Sequence, residues 1–161
     1  MLNKLRRFLT RSLTSSILRE LDAGNFEEAL KQSEMLHRGR EHLAWSACYY
    51  AKALIALEKF EDALVVLEKP LALTASRSAA ALKCNCLHDL ERYKELLEFS
   101  RSCAVTFNQE TTFFSYAILA SNHLKEVGCE LEKRKLLENE ENLQEWERIV
   151  LDEYQNSLEW E

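Results

Sequence analysis

The segment FEEALKQSEM at residues 26 to 35 returns as FEDALVVLEK at 60 to 69 and, more loosely, as YKELLEFSRS at 93 to 102. The opening aromatics Phe26, Phe60 and Tyr93 stand 34 and 33 residues apart, and Ala29 and Ala63 keep the 34-residue interval. Self-similarity at such a period marks a unit that cannot bury its apolar face alone and so stacks on copies of itself. In each copy the aromatic is followed by Ala29-Leu30, Ala63-Leu64 or Leu96-Leu97. Offsets of three and four place these side chains on one face of a helix.

Just ahead of each aromatic lies a turn: Gly24-Asn25, Glu58-Lys59 and Glu91-Arg92. Gly24 is free to take a positive φ at a helix end, and the other two turns must manage without glycine. The preceding helices also align. Ala47, Tyr50, Ala51, Leu54 and Leu57 correspond to Ala80, Lys83, Cys84, Leu87 and Leu90, which puts the small residues Ala51 and Cys84 at matching places.

Three glycines and one proline leave little material for the tight turns of a many-stranded β fold, so the 161 residues read as all-α. The expected helices are 3 to 22, 26 to 37, 41 to 57, 60 to 72, 77 to 90, 93 to 105, 110 to 126, 129 to 138 and 142 to 158. Pro70 should kink or end the fourth, with Thr74, Ser76 and Ser78 offering caps for the fifth. Gly39 and Gly128 fall at two further breaks.

Helical hairpins of this period resemble tetratricopeptide repeats across residues 13 to 105. The resemblance implies one right-handed α-solenoid over residues 1 to 161. It would comprise a basic N-terminal helix (1 to 22), about three repeats, a degenerate repeat (106 to 138) and an acidic capping helix (139 to 161). The copies depart from the family pattern at Leu96, where a small residue is usual, and in lacking its customary proline. The fourth unit, FFSYAILASNHLKEVGCELEKRKLL, places Glu130 where the family has a small residue. Leu143, Trp146, Val150, Tyr154 and Leu158 form an amphipathic stripe suited to a terminal cap.

Charge is distributed unevenly. Residues 1 to 19 carry Lys4, Arg6, Arg7, Arg11 and Arg19 with no acid, whereas 126 to 161 hold twelve acids against four bases, a net of −8. The basic head, with Leu2, Leu5, Leu9, Leu13, Ile17 and Leu21 at helical spacing, reads as a transit peptide, a membrane-surface helix or a terminal helix docked on the array. The docked helix is the expectation. No apolar run approaches the roughly 20 residues that span a bilayer. Cys48, Cys84, Cys86, Cys103 and Cys129 are an odd set inside expected helices and read as reduced thiols of a soluble cytoplasmic protein, the nucleus being an alternative.

Chemistry is sparse. Cys84, Cys86 and His88 suggest zinc, but residues two apart on a helix point about 200° away from each other, so Cys84 and His88 would need distant ligands such as His123. No metal or cofactor is expected. His37 and His42 flank Gly39 and read as solvent-facing, Cys48 has no evident base, and NEEN at 139 to 142 reads as a helix start. No glycine-rich phosphate loop exists, and outside the basic head the chain would repel nucleic acid.

Stacked hairpins leave their first helices lining a groove. By alignment that groove should present Trp45, Cys48, Tyr49, Lys52 and Ile55, then Ser78, Ala81, Leu82, Asn85, His88 and Asp89. The expected function is therefore a non-catalytic scaffold or adaptor that holds a protein or peptide, or a second copy of itself as a homodimer. Lys52 and Asn85 occupy matching places in successive repeats, but the other members of a carboxylate clamp are missing. The string LAWSACYYAKALIALEKFEDAL resembles N-terminal repeat segments of anaphase-promoting-complex subunits, which dimerise through such regions. Small repeat chaperones of bacterial type III secretion are similar in length, and an adaptor anchored to a membrane or organelle by the basic head is the further alternative.

Overall fold

The computed structural model describes residues 2–40, 43–68, 76–108, 110–125 and 129–158, and the side chains of all of these except 2–9, 130 and 153–158. Helices follow one another as α1 (Leu2–Asp22), α2 (Phe26–His37), α3 (Ala44–Ala56), α4 (Phe60–Leu67), α5 (Arg77–Asp89), α6 (Tyr93–Thr106), α7 (Thr111–Leu124), α8 (Glu130–Leu137), a 3₁₀ turn (Glu140–Asn142) and α9 (Glu145–Leu158). No strand occurs among the described residues. The chain divides into two compact units, Met1–Cys86 and Leu87–Glu161.

In the first unit neighbours in sequence are neighbours in space: α1 packs on α2 and α3, α2 on α3, and α3 on α4. The alanines make this possible. Ala29, Ala47, Ala51, Ala53 and Ala63 have no exposed surface, and Ile17, Leu36, Leu64 and Leu67 fill the space around them. A buried Leu or Ile contributes about 1.5–3 kcal/mol, and close helix approach at each Ala brings those larger groups into contact.

The turns repeat atom for atom. Asn25 N–H donates to Glu20 O (2.8 Å) and Gly24 N–H to Leu21 O (3.1 Å), which is the paired bonding of a Schellman end. Lys59 to Leu54 (2.9 Å) with Glu58 to Ile55 (2.9 Å) repeats it. In the second unit Arg92 to Leu87 (2.9 Å) with Glu91 to His88 (2.9 Å) repeats it again. Gly24, Glu58 and Glu91 all adopt left-handed φ, at 76°, 57° and 56°. Asn25, Lys59 and Arg92 then share φ between −83° and −89°. Two glutamates thus hold a conformation that glycine holds in the first turn. Phe26, Phe60 and Tyr93 each open the next helix half-buried.

Several element ends differ from expectation. α4 stops at Leu67 rather than reaching 72, and Pro70 and Thr74 lie outside the described residues. Of the three candidate caps for α5, Ser76 serves, its Oγ accepting from Ala79 N–H at 3.3 Å. The final helix begins at Glu145, because 140–142 form a separate 3₁₀ turn. His37 is not solvent-facing but 5% exposed, with Nδ1 3.1 Å from Ser46 Oγ and its ring 5.4 Å from Tyr50. It continues the buried series Ala29, Ser33 and Leu36 along α2, and the Ser46 hydroxyl in turn donates to the loop carbonyls of Arg40 and Leu43. His42 and Gly128 lie outside the described residues.

In the second unit α6 packs on α7, and α7 carries both α8 and α9. With neighbours on three sides, α7 buries an unbroken run from Phe113 to Ile118. The stripe read as a cap does face inward at Leu143 and Val150, and Trp146 packs against Tyr116 at 5.1 Å.

Candidate functional site

On α3 the expected groove residues separate by depth. Trp45 is 37% exposed, Tyr49 and Ile55 are half-buried and Lys52 is exposed. Trp45, Tyr49 and Lys52 recur at four and three residues and so share one face. Cys48 is buried, and its thiol bonds Ser76 ahead of α5; burial pushes its pKa up more than that bond lowers it. A neutral, covered thiol is a poor nucleophile and contributes packing instead. On α5, Ser78 is exposed while Ala81, Leu82 and Asn85 are half-buried. Cys84 and Cys86 are fully buried, and no three His, Cys, Asp or Glu side chains among the described residues converge to hold a metal ion.

His88 and Asp89 fall in the second unit, where His88 Nδ1 lies 3.2 Å from Asp89 Oδ1. His88 stands 6.1 Å from the Tyr93 ring and 6.3 Å from His123, and His123 stacks on Tyr93 at 4.1 Å with rings 2° from parallel. The aromatic that opens the third copy is thus also the platform for a histidine of α7. Partial burial pushes the Tyr93 phenol pKa up, helped by Glu91 and Asp89.

A feature that the repeat pattern did not signal lies between the second helices α6 and α8. A cavity of about 630 Å³ opens there, lined by Ala104, Val105, Phe114 and Leu131 and by the charged groups Arg101, Glu132 and Lys135. Arg101 Nε donates to Glu132 Oε1 at 2.8 Å and Nη2 lies 3.8 Å from Cys129 Sγ. Burial raises the Cys129 pKa, so the sulfur beside this guanidinium is a thiol rather than a thiolate. The one available signal in the sequence was LEKRK at 131 to 135, where three consecutive bases interrupt an acidic stretch.

Both surfaces set exposed apolar side chains beside charged ones. No family model, curated protein or solved structure matches this chain.

Proposed function

We propose that this protein is a non-catalytic helical-repeat scaffold that holds a segment of another protein across the outward face of α3. The observation that carries this reading is the threefold turn: the same pair of backbone bonds and the same left-handed residue set Phe26, Phe60 and Tyr93 at the start of alternate helices, α2, α4 and α6. A chain that reproduces one hairpin in this way generates a series of like surfaces, and extended series of that kind serve recognition. A tetratricopeptide-like, right-handed winding of the hairpins belongs to the same proposal.

Trp45 is the anchor, since aromatic anchors commonly cost 2 kcal/mol or more on truncation. Tyr49 flanks it and Lys52 supplies a charge that selects acidic neighbours. Self-association through this face is the second mode of the same surface. The packing of α1 on α2 and α3 supports a docked basic head over a free membrane anchor.

A photo-crosslinking residue at Trp45 tests the reading, with one at the exposed Val65 of α4 as control. The expected result is a discrete protein adduct from position 45, weakened by Tyr49→Ala and Lys52→Glu; an adduct at twice the monomer mass would assign the face to a second copy. Equal labelling from 45 and 65 would overturn the proposal.

A further inference from the structure

The cavity between α6 and α8 is divided by chemistry. Val105 on α6 and Leu131 on α8 are 83% and 62% exposed, and Ala104 and Phe114 lie buried among the lining residues. Two large aliphatic groups so exposed about one opening are relieved of water when an apolar group is set between them. The opening is a trough rather than a closed chamber. It suits a side chain from a segment lying across two helices better than a small molecule that needs most of its surface covered.

The charge at the rim is directional. Glu132 is 8% exposed whereas the Arg101 side chain is 45% exposed, so the carboxylate is covered and the guanidinium faces out. Glu132 holds Nε and Cys129 Sγ lies 3.8 Å from Nη2, contacts that orient the group and engage two of its five donors. Lys135 stands at the same cavity, tied to Glu138 at 3.1 Å by a surface pair of the kind that contributes little and yields to a competing carboxylate. Lys133, Arg134 and Lys135 are three of the four bases between 126 and 161, a stretch of net charge −8.

We propose that this trough is a docking site, separate from the face of α3, for an acidic amphipathic segment of a partner protein. The segment seats an aliphatic or aromatic side chain between Val105 and Leu131 and lays a carboxylate on Arg101 and Lys135. Apolar contact supplies the affinity and the outward cations supply the preference for acid.

The test selects random phage-displayed peptides on the immobilised full-length chain and measures the enriched peptides by fluorescence anisotropy. The expected result is enrichment of sequences that place Asp or Glu beside Leu, Ile or Phe, with binding weakened about tenfold or more, a loss of about 1.4 kcal/mol, by Val105→Asp with Leu131→Asp. Lys135→Glu should weaken binding less and flatten its salt dependence, while Trp45→Ala should leave it unchanged. Because both aliphatics are exposed, unchanged circular dichroism confirms that the double variant folds. Enrichment of basic peptides, or binding indifferent to the double variant, would overturn the proposal. So would a dimer in sedimentation that the double variant abolishes and the peptides do not compete for, since that assigns the trough to a second copy. Binding of anionic vesicles through the same residues, undisturbed by the peptides, would likewise overturn it.

Discussion

Arg101 and Glu132, 31 positions apart, join α6 to α8 with Nε 2.8 Å from Oε1. The pair is asymmetric in depth, with side chains 45% and 8% exposed, and the asymmetry decides which deletion costs more. Arg101→Ala strands a covered carboxylate, whereas Glu132→Gln leaves a guanidinium that water can solvate. Removing one partner of a fully buried pair costs roughly 3–5 kcal/mol, and exposure of Arg101 reduces this to about 1–2 kcal/mol. Urea titrations should therefore place Arg101→Ala below Glu132→Gln in stability, and Arg101→Ala combined with Glu132→Ala should recover part of the loss. Equal costs for the two single changes would mean that the carboxylate is better hydrated than its 8% exposure indicates.

A second prediction follows from the repeated turns. At Gly24 a Cβ would meet nothing within 4 Å, so only its φ of 76° opposes substitution. Glu58 and Glu91 bear that strain already. A left-handed residue with a Cβ costs about 1–2 kcal/mol, partly offset by the greater unfolded freedom of glycine. Glu58→Gly and Glu91→Gly should each stabilise the chain by about 0.5–1 kcal/mol, and Gly24→Ala should destabilise it by about 1 kcal/mol. Thermal melts of the three variants check both signs.

These turns show what was legible. The interval from Phe26 to Phe60 to Tyr93 located three helix-to-helix turns, and the same buried position recurs after each at Ala29, Ala63 and Leu96. Left-handed glutamates were not legible, since nothing in Glu-Lys or Glu-Arg prefers φ > 0. His37 misled because a neighbouring Gly39 suggests exposure, while its place four residues after the buried Ser33 pointed inward. The trough between α6 and α8 was hidden for a different reason. It is a gap left where two second helices meet, and such a gap depends on the distance between elements rather than on the periodicity of either.

Alkaline pH should weaken the fold through its covered sulfurs. Burial raises the folded pKa of Cys48 and Cys129 above the ordinary thiol value of 9.0, so the folded chain holds these protons more tightly than the unfolded one. Their contribution is complete below 9.0 and is lost as pH rises from there through the folded values. Chemical denaturation should show stability falling above pH 9.0, and the fall should be shallower in Cys48→Ala with Cys129→Ala, whatever packing that variant loses at neutral pH. Tyr50 and Tyr93, also raised, add a later decline beginning near 10.0. A wild-type slope matched by the double variant would show that the thiols are not its source.

Glu147 sits at the third position of α9, 1% exposed, inside what the sequence presents as an apolar stripe. Its Oε2 accepts Gln144 N–H at 2.9 Å, reaching back to the residue before the helix as in a capping box, and receives a long bond of 3.5 Å from Thr111 at the start of α7. Its Oε1 is buried with no hydrogen-bond partner among the described residues. One oxygen therefore stabilises two helix starts while the other carries a desolvation cost. Glu147→Ala removes the acceptor, strands the Gln144 amide and should cost about 1–2 kcal/mol. Glu147→Gln keeps a carbonyl oxygen for that amide and discards the buried negative charge, so it should lie within about 0.5 kcal/mol of wild type. Hydrogen exchange supplies the local readout: Glu147→Ala should accelerate exchange at the start of α9 and leave α6 unchanged. If Glu147→Gln proved as damaging as Glu147→Ala, the charge itself, through the dipoles of α7 and α9, would be the stabilising element rather than the hydrogen bond.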